Sequence, residues 1–292
     1  MKTAFLRLHL AVLLAGFTGV LGRLISLNEG LLVWYRLLIS AVSLWLLFGL
    51  QRKISAIPFR KMLSITGVGF IAALHWVTFY GSIKYSNVSV GLVCFSAIGF
   101  FTALVEPILL KRRFIWQELL LGLLVMAGIY VIFHFDPRYK TGILIGLLSA
   151  LLAAIFPVLN RQLLKTVNVE TLTTYEISGG LVTLSLLLPV YLQQFPPDHF
   201  WPTWTDLGWL LFLSWFCTVW AFQLSAYALK YISAFTVNLS YNLEPVYGII
   251  LAFLIYRENE YLGWNFYLGL LMIIIALSLQ MLRVYKARNK ST

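Results

Sequence analysis

Glu244 is the only charged residue between Ser233 and Tyr256, and Pro245 follows it directly. It lies about twelve residues into that apolar stretch, which at ~1.5 Å rise per residue places it near the middle of a helix long enough to cross a bilayer. A carboxylate at that depth costs about 2.5–3.5 kcal/mol even on lenient insertion scales, so it must face a cavity or a partner. Ser240 and Tyr241, four and three residues earlier, share its helical face, and Asn238 and Asn242 add a neighbouring polar stripe. Pro245 removes a backbone donor and frees the carbonyl of Tyr241, marking a structural hinge. Two chemistries suit such a carboxylate: pairing with an amine, or taking up and releasing a proton. The plainer reading is a carboxylate that pins a proline-broken helix.

Other candidates are more dispersed. Arg36, inside an apolar run, could bind a planar anion such as a carboxylate or anchor its own helix. His75, Trp76 and Tyr80 in one run, and Trp215, Trp220, Gln223 and Tyr227 in another, could wall a cavity whose rings stack on a planar or cationic group. His75 could also shuttle a proton. Pro157 marks a second hinge among small residues. Glu106 precedes Lys111-Arg112-Arg113 by one short turn and reads as a structural carboxylate at an interface. With 16% aromatic residues, most rings must simply pack or face lipid.

The elements that position these residues follow from composition. A chain with 60% hydrophobic and 11% charged residues cannot hide its apolar surface in one soluble core. It offers ten runs long enough for membrane helices, near 5–27, 31–50, 62–82, 86–110, 114–134, 141–160, 171–192, 206–229, 233–256 and 261–282. The first run continues past Gly16 and Gly19 with no small-x-small cleavage site, so it reads as a retained span rather than a signal peptide. Placing both termini in the cytoplasm puts sixteen of the 22 Lys and Arg residues on the inner side, as the positive-inside rule requires. That bias also accounts for the net charge of +11, which is scattered through thin loops beside anionic headgroups and forms no nucleic-acid groove.

The runs repeat. Arg23 corresponds to Arg161, Tyr35 to Tyr175, Lys84-Tyr85 to Lys230-Tyr231 and Gly122 to Gly269, with offsets rising from 138 through 140 and 146 to 147. The same register aligns Arg36 with Glu176 and sets Glu244 opposite Ile98, so Glu106-Pro107 and Glu244-Pro245 are not equivalent. Five runs per half is an odd number, so the second half enters the membrane from the opposite side. The expected fold is an all-α integral membrane protein of ten transmembrane helices in an inverted five-plus-five repeat, a construction of secondary transporters.

Ala228-x-Lys230-Tyr231-Ile232-Ser233, Leu243-Glu244-Pro245 and Arg36 after Trp34-Tyr35 together resemble the drug/metabolite transporter superfamily, EamA type. The resemblance covers roughly 6–282. It implies a bacterial inner-membrane exporter or exchanger of small metabolites such as amino acids, working by alternating access. It also implies a central cavity lined mainly by the first, third, fourth, sixth, eighth and ninth spans. The domains expected are a first repeat over 1–135, a second over 141–282 and a basic cytoplasmic tail over 283–292.

The opposing function class is a membrane-embedded enzyme or flippase acting on lipid-linked substrates. Such a protein should cluster acids, His or Arg at an interface, whereas the sharpest polar cluster here lies at mid-depth. Cys94 and Cys217 are isolated, and His9, His75, His134 and His199 make no metal-binding spacing. With no phosphate-binding loop and no nucleophile elbow, no cofactor, metal or catalytic residue is expected. The expected partners are a small-molecule substrate and membrane lipid, with the chain a monomer.

Overall fold

The computed structural model describes residues 2–133 and 139–289, and those residues form helices without strands. The order is α1 Lys2–Leu24, α2 Glu29–Leu50, α3 Phe59–Lys84, α4 Val88–Phe95, α5 Ile98–Leu110, α6 Trp116–Phe133, α7 Lys140–Leu163 and α8 Val169–Gln194. There follow α9 Trp204–Ser214, a π-helical segment Trp215–Trp220, α10 Ala221–Tyr231, α11 Ala234–Tyr241, α12 Glu244–Tyr256 and α13 Trp264–Asn289. Counting α4–α5 and α9–α10 as continuous stretches, eight segments are long and apolar enough to cross a membrane; α6 and α12 are shorter apolar helices. With α11 completing α12, these are the ten expected spans. His134 and Arg138 lie outside the described residues, as do Lys290, Ser291 and Thr292.

Local chemistry repeats with the chain. Asn28 and Asn168, 140 positions apart, each cap a helix by accepting from the N–H three residues on, Leu31 and Thr171, at 2.9 Å. Lys111 and Arg257, 146 positions apart, both end helices in the left-handed conformation, at φ 50° and 52°. The fourth and ninth spans are each broken in the middle, at Ser96-Ala97 and Asn242-Leu243, again 146 apart. Packing exchanges partners as an inverted repeat requires: α1 lies against α10 and α7 against α3, while α6 pairs with its own counterpart α13. We call the side where α1 begins and α13 ends the terminal face, and the side where α1 ends the opposite face.

One register shift occurs inside a helix rather than in a loop. Phe59 and Trp204, the first residues of α3 and α9, are 145 apart, but Lys84 and Lys230 are 146 apart. The extra residue is absorbed in the π-helical segment Trp215–Trp220, whose wider turn accommodates one insertion.

Close helix approach depends on glycine. A Cβ on Gly69 would fall 2.0 Å from the carbonyl oxygen of Glu176, and one on Gly180 would fall 2.7 Å from that of Gly69, so α3 and α8 meet backbone to backbone. The outside is apolar, with Leu50, Leu186, Val190 and Leu254 all exposed. Trp116, Trp204 and Trp264 open their helices as exposed rings, the position of an interfacial aromatic belt.

Candidate functional site

A cavity lies between the repeats. Its walls come from α1, α3, α4–α5, α7, α10 with the preceding π-helical segment, and α11–α12; α2 adds Arg36 alone. These are the six spans implied by the family resemblance, with one side chain from a seventh.

Glu244 is buried and is the first residue of α12, at the break in the ninth span. Asn242 and Leu243 leave the helix before it, and Pro245 fits the new first turn because no N–H is needed there. Glu244 Oε1 lies 3.2 Å from Thr18 Oγ1 on α1, and the same hydroxyl lies 2.6 Å from the Ala15 carbonyl. A hydroxyl holds one proton, so Thr18 serves the carboxylate only when it releases Ala15. The expected same-face partners are engaged elsewhere. Tyr241 shares a 2.5 Å hydrogen bond with Ser225, and Ser240 donates to the Thr236 carbonyl.

Arg36 is fully buried, and its position depends on the π-helical segment. Its guanidinium donates to Thr218 Oγ1 at 2.6 Å, Tyr80 Oη at 2.8 Å and the Cys217 carbonyl at 3.3 Å, with its carbon 4.1 Å from the centre of the Trp76 ring. The wide turn thus brings two consecutive residues to one guanidinium. Three of five donors are used, all on neutral groups, and Arg36 still lines the cavity. Both roles read from sequence, helix anchor and anion contact, are open to it.

His75 accepts a fixed orientation from α7. Its Nδ1 lies 2.9 Å from the Ser149 hydroxyl and 3.1 Å from the Ser149 carbonyl, so one residue of α7 holds that edge of the ring. Phe79, Phe95 and Phe156 surround the ring at 5.6–6.0 Å. Trp76, Pro157, Asn238 and Tyr241 line the same cavity, with Asn238 donating to Thr102 at 2.9 Å.

The remaining sequence candidates are placed elsewhere. Tyr80 stands behind Arg36 with its ring over Gly22, where a Cβ would come within 2.3 Å, so it holds the arginine and does not form a wall. Trp220 is 54% exposed and turned outward against Phe216, because the π-helical insertion rotates it off the inner face. Trp215 is likewise outward, donating to Ser43. Gln223 donates to Thr173 on α8, and Tyr227 lies under Arg7. Asn242 faces a small separate pocket between α5, α6 and α13, beside Glu118 and Gln280, because the helix break turns it away from Asn238. Arg36 and Glu176 are held by different neighbours; both oxygens of Glu176 accept from Asn160.

Sequence reading did not assign Asn160, Phe95, Phe156, Phe222 or Ser225 to the cavity, although all line it. Register carries a signal for several of them. Thr18 corresponds to Phe156 and Glu244 to Ile98, so one repeat-related pair of walls is polar and the other apolar. Tyr80 corresponds to Ala226 and Gly22 to Asn160. The cavity therefore extends towards the terminal face, where a small side chain replaces the tyrosine.

A model of the EamA-like transporter family matches the chain twice, over residues 2–134 and 140–282. Curated proteins give no significant match. Among solved structures, 27 chains match significantly. One of them, described only as the crystal structure of a protein, has a TM-score of 0.71 at 18% identity, covering 98% of this chain and 99% of the other, which is a likeness of fold. With nearly its whole length accounted for by two copies of the family repeat, the chain belongs to the EamA-like transporter family and is a membrane transporter of the drug/metabolite type.

Proposed function

We propose that this transporter exports or exchanges small metabolites bearing an amino group beside an apolar body, amino acids among them, by alternating access across a bacterial cytoplasmic membrane with both termini inside. One observation carries the reading: Glu244 stands at a broken helix in the central cavity, where among the described residues one shared hydroxyl is its hydrogen-bond partner and Phe156 and Ile98 add apolar wall. A carboxylate so placed is suited to an ammonium, and unwound mid-membrane helices are where transporters hold charged groups.

Alternating access is supported by the difference between the faces. At the opposite face, Glu258 accepts from Arg23 at 2.6 Å and from the Ser89 N–H at 2.8 Å, tying α1, the start of α4 and the end of α12 together. Lys84 closes the same side by donating to the carbonyls of Ile25 and Leu27. At the terminal face, the residues corresponding to Arg23 and Glu258 are Arg161 and Arg112, two like charges, and Lys230, the counterpart of Lys84, is exposed. Apolar contacts among Leu8, Val158, Leu229 and Val237 hold that side instead. An ionic closure on one face and an apolar one on the other suit a cavity that opens to each in turn.

The test is a metabolite screen in proteoliposomes with and without an imposed proton gradient. Saturable, amine-dependent flux that collapses in Glu244→Gln is expected. Flux of anionic or amine-free solutes alone, unchanged in that variant, overturns the proposal.

A further inference from the structure

Trp76 on α3 and Phe222 on α10 occupy equivalent places in the two repeats, 146 positions apart once the π-helical insertion is passed. They also touch. Their ring centres lie 5.9 Å apart at an interplanar angle of 58°, and both rings line the central cavity. A contact between two equivalent residues straddles the pseudo-two-fold axis, so exchanging the conformations of the repeats returns the same contact. The fourth and ninth spans behave alike: a Cβ on Gly248 would fall 2.4 Å from Leu92 Cδ1, and the residues equivalent to that pair, Thr102 and Asn238, share a 2.9 Å hydrogen bond. Contacts between inequivalent residues are one-sided. Ser149 lies 2.9 Å from His75 Nδ1, whereas Ala11 and Ala221 in the equivalent places have no polar side chain to share. Tyr80 covers Gly22, whereas Asn160 and Ala226 in the equivalent places border the cavity.

We propose that Trp76 and Phe222 are the pivot of the transport cycle, a ring pair kept whichever face is open, while the α3–α7 and α1–α10 contacts exchange character around it. This rests on the alternating-access reading and adds to it the residues about which the halves rock. Each ring has its own support. The Arg36 guanidinium carbon lies 4.1 Å from the centre of the Trp76 ring, and the Phe156 ring centre lies 6.2 Å from that of Phe222. Because both rings are cavity wall, they also give the apolar body of the solute one surface that persists while the site changes sides.

The test uses full-length protein without Cys94 and Cys217 in lipid nanodiscs. Trp76→Cys/Phe222→Cys is joined by a flexible bis-methanethiosulfonate, and hydrogen exchange is followed at the opposite face, over residues 88–92, and at the terminal face, over residues 4–12. Linking is expected to change exchange at neither face by more than about twofold, because the joined positions stay together in both states. Arg23→Cys/Glu258→Cys, joined in the same way across the opposite-face ion pair, should slow exchange there about tenfold. Exchange slowed at one face by the link between positions 76 and 222, and restored when the link is reduced, overturns the pivot. If that pair of cysteines does not fold, Phe222→Leu decides. Loss of a contact made in both states should alter the two faces equally, whereas loss of a contact made in one state alone raises exchange at one face and lowers it at the other by roughly fivefold, which overturns the pivot. A link between positions 23 and 258 that changes neither face overturns the alternating-access reading and the pivot with it.

Discussion

Arg23 Nη1 lies 2.6 Å from Glu258 Oε1, joining the end of α1 to the turn after α12 at one face of the molecule, while the residues related to them by the repeat, Arg161 and Arg112, carry like charges. The same glutamate receives the N–H groups of Val88 and Ser89 and the Ser89 hydroxyl, so it also caps α4. Three elements that must separate for this face to open are thereby held by one side chain.

Glu258→Ala should favour opening of that face. Arg23 is 45% exposed, so the ion pair itself contributes about 1 kcal/mol or less, but loss of the cap adds about 1 kcal/mol more. Together these correspond to roughly a tenfold rise in the reaction of Val88→Cys with a membrane-impermeant maleimide, in a background without Cys94 and Cys217. An unchanged labelling rate would count against a gate here.

Arg36→Lys should cost about 2–4 kcal/mol, because a lysine cannot satisfy Tyr80, Thr218 and the Cys217 carbonyl together from one buried position. The expected result is a clear fall in the thermal unfolding midpoint in detergent as well as loss of flux. A stable variant that merely transports less would assign Arg36 to the solute alone.

Glu244→Gln should separate function from stability. The amide is isosteric and can still meet Thr18, so the unfolding midpoint should move by no more than about 2 °C, while flux falls at least about tenfold. Equal losses of both would place Glu244 in the scaffold.

Deleting Phe216 should remove the π-helical insertion and return α10 to the register of α3. The wide turn then closes to a regular α-helical one with α9 and α10 kept in place, drawing Thr218 and the Cys217 carbonyl away from the guanidinium they now serve. Loss of monodisperse protein on size-exclusion chromatography is the expected outcome; a folded, active deletion would mean that the bulge has no part in holding Arg36.

Gly69→Ala should destabilise by about 1–3 kcal/mol, since a methyl group 2.0 Å from the Glu176 carbonyl forces α3 and α8 apart. Gly67→Ala is the control. Nothing lies within 4 Å of a Cβ there, so its unfolding midpoint should be unchanged or slightly raised.

Much of the molecule is legible without coordinates. Ten apolar runs follow from the need to satisfy every backbone polar group within a hydrocarbon layer, and the Lys-Tyr repetition with its rising offset locates the duplication. The register that aligns Glu244 with Ile98 and not with Glu106 agrees with the paired helix breaks and paired left-handed caps. Periodicity was a weaker guide to side-chain direction. Ser240 and Tyr241 share a helical face with Glu244 only if the helix is continuous, and it is broken at Asn242-Leu243. Trp220 aligns with His75 in sequence yet faces outward, because one inserted residue turns the helix between them.

The sequence by itself thus determined the solvent, the number of spans, the inverted duplication and the acidic residue at mid-depth, since each depends on composition or on spacing within one segment. Which groups meet was decided only by tertiary structure. Thr18 reaches Glu244 across 226 positions, Arg36 reaches Thr218 across 182, and Asn160 meets Glu176 on the next helix. Those contacts depend on helix breaks, a π-helical turn and glycine-mediated approach, which rotate and shift whole helices by amounts that a one-dimensional period does not encode.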